Sequence, residues 1–330
     1  MAECSIVVPV YNRVRLTRQC LEILLGEPPT GTSAEILVVD DGSTESQQGL
    51  VEAYQDRVKF VHHATNMGFA AACNDGAAAS TGRWLIFLNN DTFPQPGWLD
   101  ALVRYAEEHP RAAAVGSKLV FPDGTIQHAG VVICQDLYPR HVYAGFPADH
   151  PAVNRSRKFQ SVTAACVLVR REAFVDVGGF DTAFRNGYED VDLCLRLGER
   201  GHEVHYCHTS IVYHLESLSR DQGRRAVDAA NDKLFRDRWA DRLQPDDLSY
   251  YVADGLLRLN YWEMYPVTLE VSPLLATVAG KDRDRQADRL LDARSRQVFE
   301  LLKENTRLKE AIEEPMFSTS PGDDRRPESG

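Results

Sequence analysis

Polar and acidic residues stand directly after three apolar, strand-like segments of this chain. Their carboxylates suit divalent cations or the N–H groups of a base. In a sheet of parallel strands, ligands bind beyond the carboxyl ends of the strands. The sequence therefore predicts a site for a polar ligand at that edge. Its residues are Tyr11-Asn12, Asp40-Asp41 and Asn89-Asn90-Asp91.

The segment Asp40-Asp41-Gly42-Ser43 has two interpretations. Aspartate, glycine and serine are ordinary turn-forming residues, so the segment taken alone is explained as a turn. Asp91 ends a nearby strand, and this further carboxylate favours a binding role. In that role one aspartate accepts a hydrogen bond from a base, while another binds a divalent ion that bridges a diphosphate.

Two classes of function are disfavoured. A dinucleotide-binding site would place a G-x-G-x-x-G motif after the first strand, whereas this chain has Pro9-Val10-Tyr11-Asn12-Arg13 there. Hydride transfer with NAD is therefore not expected. The net charge of -11, from 48 acidic and 37 basic residues, argues against nucleic acid as a partner, because phosphate backbones are bound by positive fields. A nucleotide held through a divalent cation is compatible with this charge.

The seven cysteines are scattered and include no C-x-x-C pair. A disulfide framework or a thiolate zinc site is therefore not expected, and a reducing compartment fits best. The N-terminal residues show no basic segment with a cleavage site, and no stretch approaches about 18 uninterrupted apolar residues. We expect a cytoplasmic protein without a transmembrane span, which leaves peripheral contact with a membrane open.

The first half of the chain alternates between strand-like and helix-like segments. Short continuous apolar runs are typical of buried strands, and apolar residues at helical spacing lie between them. This alternation predicts an α/β fold with a mostly parallel sheet flanked by helices. The predicted strands are Cys4–Val10, Glu35–Val39, Val58–His62 and Trp84–Leu88, followed by Ala113–Val115, Val131–Cys134, Ala165–Val169 and Val204–Cys207.

Changes in composition divide the chain into four regions. After the α/β pattern comes a helical, aromatic-rich segment, then a strongly charged one, and the last is rich in Pro, Ser, Gly and charge, as disordered tails are. The expected regions are an α/β domain 1–223, a helical extension 224–280, a coiled-coil helix 281–314 and a disordered tail 315–330.

The charged region shows a seven-residue repeat. Leu291, Val298, Asn305 and Ile312 fall seven apart, and a lone Asn in such a seam fixes register and dimeric state. Residues 284–313 are therefore predicted to form a homo-oligomer, as a parallel dimer. The alternative is an amphipathic helix folded back onto its own domain. The intervening seam position holds Arg294, Leu301 and Leu308.

His202, His205 and His208 recur every third residue and resemble a metal site at first view. In a strand this spacing scatters side chains over both faces of the sheet. We therefore interpret the three histidines as structural.

Seven short motifs lie in order between residues 5 and 215. They are Ser5-Ile6-Val7-Val8-Pro9-Val10-Tyr11-Asn12, Val39-Asp40-Asp41-Gly42-Ser43, Asn66-Met67-Gly68-Phe69-Ala70, Leu88-Asn89-Asn90-Asp91, Gly178-Gly179-Phe180-Asp181, Tyr188-Glu189-Asp190-Val191-Asp192 and Val212-Tyr213-His214. In this order the chain resembles the family 2 glycosyltransferases of the GT-A fold, in particular those that assemble bacterial surface polysaccharides. The resemblance implies a nucleotide-sugar donor, a Mn²⁺ or Mg²⁺ ion, and one-step transfer to an acceptor hydroxyl with inversion.

The resemblance also implies roles for single residues. Asp190 would be the general base that takes the proton of the acceptor hydroxyl, with Gly179 and Glu189 beside the acceptor. Asp91 and His214 would bind the metal ion, for which carboxylate and imidazole are suitable ligands. The residues implied at the nucleotide are Pro9, Tyr11, Asn12, Asp41, Asn66, Asn89 and Asn90, with Asp41 on the base ring.

Alternatives remain at two of these positions. Glu189-Asp190 is also explained as the acidic first turn before the helical run Val191–Leu197, which the helix dipole stabilises by about 0.3–1 kcal/mol. Asn89 and Asn90 are neutral where the family often has carboxylates, so the metal site carries less charge.

Two other functions stay open on the sequence. One is a sugar-nucleotide hydrolase or nucleotidyltransferase on the same α/β scaffold. The other is a non-catalytic scaffold, in which the Asn89-Asn90-Asp91 motif binds the donor poorly and the coiled coil is the functional region. The acceptor of a transferase could be a glycan, a lipid-linked glycan, a peptide or a small molecule.

Overall fold

The computed structural model describes residues 2–215, 224–261 and 268–281, with the backbone alone for 224–228 and 280–281. The chain divides into two compact units, Met1–Val278 and Ala279–Gly330, and of the second only residues 279–281 are described. The coiled-coil helix and the tail predicted for 281–314 and 315–330 therefore lie outside the described residues, apart from Lys281.

The strands and helices alternate through the first half of the chain. The strands are β1 (Cys4–Val10), β2 (Ala34–Asp40), β3 (Lys59–His62), β4 (Trp84–Leu88), β5 (Thr92–Pro94), β6 (Ala112–Val120), β7 (Ile126–His128), β8 (Val131–Ile133), β9 (Pro139–His141), β10 (Arg157–Phe159), β11 (Cys166–Arg170), β12 (Glu203–His214), β13 (Leu257–Asn260) and β14 (Thr268–Val271). The helices are α1 (Val14–Gly26), α2 (Gln48–Tyr54), α3 (Phe69–Ala78), α4 (Trp98–Glu108), α5 (Arg171–Asp176), α6 (Glu189–Glu199), α7 (Arg224–Trp239), α8 (Asp247–Ala253) and α9 (Pro273–Lys281), with a 3₁₀ turn at Pro151–Val153.

One sheet carries the fold, in the order β10-β12-β6-β11-β4-β1-β2-β3. The strands β4, β1, β2 and β3 are all parallel, as the sequence predicts. Beyond them β11 is antiparallel to both β4 and β6, while β12 is parallel to β6. The short strand β5 pairs antiparallel with β12, and the short strand β7 pairs antiparallel with β6. The α/β fold class is confirmed.

Both faces of this sheet are covered, which explains why its strands are apolar throughout. Side chains alternate between the faces of a strand: Ile6 and Val8 of β1 pack with α1 and α4, whereas Val7 packs with α3 and α6. All three valine and isoleucine side chains are fully or nearly fully buried. The continuous apolar run in β1 therefore follows from helices on both sides.

The interval 224–280 is not purely helical, and the prediction for it needs correction. Residues 257–260 and 268–271 form the antiparallel pair β13–β14, with Leu257 opposite Val271 and Leu259 opposite Leu269. Leu257 is buried with Val142 and Tyr143 in one apolar cluster. Leu269 and Val271 of β14 pack against the same cluster, so the interval shares its core with the α/β domain.

Candidate active site

Asp91 and His214 lie next to each other although 123 positions separate them. Asp91 follows β4, and the short strand β5 then pairs with the end of β12, with Thr92 opposite His214. This pairing brings the His214 Nε2 to 3.0 Å from the Asp91 Oδ1. Both residues are largely buried, Asp91 with 6% and His214 with 7% of its surface exposed. Asp91 and His214 therefore meet because β5 pairs with β12, and not because they are close along the chain.

Gln127 completes the surroundings of His214 and was not identified from the sequence. Its Oε1 lies 2.7 Å from the His214 Nδ1, and it belongs to β7, which pairs with β6. An amide oxygen only accepts hydrogen bonds, so the His214 Nδ1 donates to Gln127, and Nε2 is the ring nitrogen that lies beside Asp91, where a metal ion or a proton can join the two groups. No spacing rule connects positions 127 and 214, and only the sheet topology reveals the contact.

A divalent ion fits this pair if the donor supplies further ligands. Among the residues that the structure describes, no cluster of three His, Cys, Asp or Glu side chains could hold a metal by itself. Asp91 offers a carboxylate oxygen and His214 an imidazole nitrogen, both of which suit Mn²⁺, while Mg²⁺ prefers the oxygen. Such sites take their remaining ligands from substrate phosphates and water.

Asn89 and Asn90 are held by their own surroundings. The Asn89 N–H donates to the Ala165 carbonyl at 3.0 Å, and the Asn90 Nδ2 donates to the Thr17 Oγ1 of α1 at 2.9 Å. Both side chains are partly exposed. They lie at the carboxyl end of β4 as predicted, and a contact with a nucleotide stays a prediction.

The residues predicted to bind the nucleoside differ in their exposure and in their hydrogen bonds within the fold. Tyr11 is 48% exposed at the end of β1, and Pro9 is half-buried within it. Asn12 has a φ of 59°, and its Oδ1 accepts from the Thr44 N–H at 2.9 Å and the Glu45 N–H at 3.0 Å. Asn12 therefore shapes the loop after β2, while Tyr11 presents an open aromatic face.

Asp41 is buried and closely bonded. Its Oδ1 accepts from the Met67 N–H and its Oδ2 from the Gly68 N–H, both at 2.8 Å. The His63 Nδ1 lies 2.9 Å from the same Oδ1. The carboxylate thus fixes the turn that contains Asn66 in front of α3. Two lone pairs on each oxygen leave Asp41 able to accept a further bond from a base.

The predicted acceptor side is formed at the start of α6. The helix begins at Glu189 and not at Val191 as predicted, so Asp190 lies in its first turn. The Asp190 Oδ2 accepts from the Ala164 N–H at 3.1 Å and its Oδ1 from the Val191 N–H at 2.8 Å. Because the neighbouring Ala165 carbonyl accepts from Asn89, one dipeptide connects the predicted base to the predicted metal motif.

Glu189 and Gly179 both have structural roles in the region around Asp190. Glu189 is buried and accepts from the Gly187 N–H. Gly179 has a φ of +73°, and a Cβ there would lie 2.6 Å from the Asn74 Oδ1, so only glycine fits this turn. Its carbonyl accepts from the Arg196 Nη2 at 2.8 Å. Contact of either residue with an acceptor stays a prediction.

The three histidines of the H-x-x-H-x-x-H pattern do not form a shared site. The His205 ring bonds to the Tyr105 hydroxyl at 3.0 Å and to Glu203 at 3.1 Å, and its burial lowers its pKa. His208 bonds to the Ser156 Oγ at 2.7 Å. The structural interpretation of His205 and His208 agrees with these partners.

Comparisons with known proteins show the family of the chain. Residues 5–178 match the family model "Glycosyl transferase family 2", which is more than half of the chain. The chain therefore belongs to glycosyl transferase family 2.

Relatives with assigned names include an O-antigen biosynthesis protein and a rhamnosyltransferase. The O-antigen biosynthesis protein RfbC of Myxococcus xanthus is 37% identical over 224 residues, which cover 66% of this chain and 17% of that protein. The N-acetylglucosaminyl-diphospho-decaprenol L-rhamnosyltransferase of Mycobacterium tuberculosis is 29% identical over 239 residues, covering 64% of this chain and 76% of the enzyme. The chain spans a quarter or less of a Sinorhizobium fredii protein and of RfbC.

Solved structures share the fold. GalNAc-T7 with UDP, GalNAc and Mn²⁺ superposes with a TM-score of 0.57 at 16% identity, covering 77% of this chain and 55% of that one. The mannosyltransferase PcManGT of Pyrobaculum calidifontis with GDP-Man and Mn²⁺ gives 0.55 at 16% identity, covering 90% and 81%. The GT-A fold is confirmed. Within the three described stretches of chain, no helix combines the length and apolar character needed to cross a bilayer.

Proposed function

We propose that this protein transfers a sugar from a nucleotide-sugar donor to an acceptor hydroxyl with inversion, and that the transfer depends on a divalent metal ion. The observation that carries the proposal is the arrangement of Asp91, His214 and Asp190. The first two meet at 3.0 Å, and Asp190 is bonded to the dipeptide that also receives Asn89. The proposed metal ligands and the proposed base therefore lie at the same edge of the sheet, where α/β folds bind ligands.

The nucleotide would occupy the ends of β1, β2 and β4. The exposed ring of Tyr11 offers a stacking face, and the Asp41 carboxylate can accept from the base. Pro9, Asn12 and Asn66 would border the nucleoside, and Asn89 with Asn90 would bond the ribose. In this arrangement the base would lie over β1 and β2 and the diphosphate near β4.

Asp91 and His214 would hold Mn²⁺ or Mg²⁺ together with diphosphate oxygens. When bound, such an ion offsets the negative charge that develops on the departing diphosphate. Two protein ligands are few, so we propose that the ion binds tightly only with the donor. The neutral Asn89 and Asn90 support this, since they add no carboxylate to the site.

Asp190 would take the proton of the acceptor hydroxyl as the oxygen attacks the anomeric carbon. General bases typically contribute about 10²–10⁴-fold to such steps. Its two backbone hydrogen bonds fix the direction of the carboxylate. Attack from the face opposite the diphosphate inverts the anomeric carbon, and no covalent sugar-enzyme intermediate is needed. Gly179 and Glu189 would border the acceptor.

The named relatives support a role in surface-polysaccharide or glycoconjugate assembly. We propose hexosyl or rhamnosyl transfer, with a glycan, lipid-linked glycan, peptide or small molecule as acceptor.

A donor panel tests the proposal. UDP-, dTDP- and GDP-sugars are incubated with the protein and Mn²⁺, and release of nucleoside diphosphate is measured with and without acceptors and with EDTA. We expect one donor class to release diphosphate in an acceptor- and metal-dependent way. Equal release without acceptor would favour the hydrolase instead. Absence of donor binding with Mn²⁺ would favour the non-catalytic scaffold.

A further inference from the structure

The loop 185–188 leads directly into α6 and has an unusual backbone. Asn186 and Tyr188 have φ values of 57° and 70°, and Gly187 between them has 155°. Non-glycine residues with positive φ are disfavoured and persist where the surrounding structure holds them. Tyr188 is the residue immediately before the first turn that contains Asp190. The conformation of this loop therefore sets where α6 begins, and with it the position of the Asp190 carboxylate.

Asn231 of α7 holds the loop through all the bonds of its amide that the structure shows. Its Oδ1 accepts from the Arg185 N–H at 3.1 Å. Its Nδ2 donates to the Arg185 carbonyl at 2.9 Å and to the Gly187 carbonyl at 3.1 Å. The side chain is 3% exposed. A side chain that both accepts and donates is needed for these contacts, and an amide does both.

Two neighbours on α7 support the same loop. The Tyr188 ring stacks on Phe235 with centroids 4.8 Å apart and 26° between the planes. The Tyr188 hydroxyl donates to the Asp232 Oδ1 at 3.3 Å. Asn231, Asp232 and Phe235 thus hold consecutive parts of the loop, with Asn231 on its backbone and the other two on a side chain.

The opposite side of the loop touches the predicted nucleoside segment. The Asn186 Oδ1 accepts from the Phe69 N–H at 3.1 Å, and the Arg185 Nη2 donates to the Asn66 carbonyl at 3.3 Å. The loop is therefore held between α7 and the start of α3. Asn231 makes its hydrogen bonds to the backbone of this loop from a helix outside the matched family region 5–178.

We propose that Asn231 is a positioning residue for the sugar-transfer reaction: its amide fixes loop 185–188 and thereby places the Asp190 carboxylate against the acceptor hydroxyl. The proposal rests on the proposed function, in which Asp190 is the base. Asn231 touches the loop backbone and not the reacting groups, so it acts through Asp190. Small displacements of a reacting group cost as much as about 10²-fold in rate.

The test uses the full chain and the donor and acceptor found in the panel above. Asn231→Leu keeps a similar size and removes the three hydrogen bonds. We expect kcat to fall at least about tenfold, while the affinity for the released nucleoside diphosphate with Mn²⁺ changes less than about threefold. Asn231→Asp keeps the acceptor for the Arg185 N–H but turns a carboxylate oxygen, which cannot donate, towards the Arg185 and Gly187 carbonyls, so its kcat should fall at least as far as that of the Leu variant. It carries the test if Asn231→Leu does not fold.

A matched control separates positioning from general stability. Tyr206→Phe removes the hydrogen bond from the buried Tyr206 hydroxyl to the Val153 carbonyl, 2.8 Å long, in an apolar cluster that does not contain the loop or α7. We expect it to lower the melting temperature with near-parent kcat. If it loses as much turnover as an Asn231 variant of equal melting temperature, Asn231 is only structural and the proposal is overturned.

A double variant tests whether Asn231 acts through the base. Turnover of Asp190→Asn combined with Asn231→Leu should lie within about twofold of Asp190→Asn alone, because residues in one network are non-additive. Losses that multiply would overturn the proposal while leaving the base assignment intact. Parent-like turnover of Asp190→Asn alone would overturn the proposed base, so the two failures are distinguishable.

Discussion

The Nδ1 of His214 lies 2.7 Å from the Oε1 of Gln127, and the Nε2 of the same ring lies 3.0 Å from the Asp91 Oδ1. Gln127 thereby holds the hydrogen of the ring on Nδ1 and leaves Nε2, beside the carboxylate, as the nitrogen for a metal ion. Metal-binding histidines are commonly oriented in this way by a partner on their second nitrogen. The geometry gives Gln127 an indirect part in the proposed metal site.

Replacing Gln127 should weaken metal binding without removing a ligand. Gln127→Leu deletes the acceptor for the His214 Nδ1, and we expect Mn²⁺ affinity to fall about 10–100-fold. Gln127→Glu keeps an acceptor oxygen and should bind at least as tightly as the parent. Mn²⁺ titration calorimetry with saturating nucleoside diphosphate measures both. Gln160→Leu is the control, since Gln160 donates to the Gln244 carbonyl away from the site. Equal affinities for the Leu variant and the parent would contradict the role.

The two proposed metal ligands should differ in how much each contributes to metal-dependent binding of the nucleoside diphosphate. Asp91→Ala removes the anionic ligand, and we expect metal-dependent binding of the nucleoside diphosphate to be lost. His214→Ala removes a neutral nitrogen and should weaken that binding less. Calorimetric titration of the diphosphate with and without Mn²⁺ gives the comparison. An Asp91→Ala protein whose binding still responds to Mn²⁺ as the parent does would show that the site is wrongly assigned.

Asp190→Asn should separate binding from chemistry. The amide keeps the size of the side chain but cannot take a proton, so turnover should fall at least about 10²-fold with donor affinity nearly unchanged. Initial rates and diphosphate binding are measured on the same preparation. Asp176→Asn is a control at an exposed carboxylate whose side chain is 54% accessible. Near-normal turnover with a hydroxyl acceptor would rule out Asp190 as the base.

Glu35 should make the fold sensitive to acid. Burial opposes its ionisation, but hydrogen bonds from Lys59, Thr81 and Ser5 outweigh it and lower the pKa of Glu35 from 4.5 to about 2. A lowered folded-state pKa stabilises the protein above the unfolded value, and this stability is lost as the pH falls from 4.5 towards 2.

The Glu35→Gln protein should therefore be less stable than the parent at pH 7, by about 1–3 kcal/mol. The difference in free energy of unfolding should shrink as the pH is lowered through that window. Urea unfolding at a series of pH values measures it. A difference that stays constant down to the lowest pH would show that the carboxylate charge is not what stabilises this site.

Self-association is the remaining prediction, and it concerns residues 284–313, outside the described part of the chain. The seven-residue repeat predicts a parallel dimer, because an Asn at position 305 would lack a partner on an intramolecular apolar face, at a cost of about 1–3 kcal/mol. Light scattering is compared between the full chain and a chain ending near Gly280. The full chain should be dimeric and the shorter one monomeric. Monomers in both cases would favour a helix folded onto its own domain.

The sequence determined the strands of the parallel half and the site residues at their ends. Continuous apolar runs such as Trp84–Leu88 match β4 residue for residue, because a strand covered on both faces needs apolar side chains at every position. The residue types at the strand ends then indicated the class of ligand. Asp91, His214 and Asp190 were all identifiable in this way, through local pattern or family motif.

Only the tertiary structure decided which distant residues meet. Gln127 reaches His214 because β7 pairs with β6 and β12 lies beside β6, and Asn231 reaches Gly187 because α7 packs beside α6. Neither residue has a local signature, since an amide on a strand or helix is ordinary in itself. Periodicity reports the environment of one segment, whereas a hydrogen bond between segments depends on strand order and helix packing. For that reason the predicted ligands and base were accessible from sequence, and the side chains that orient them were not.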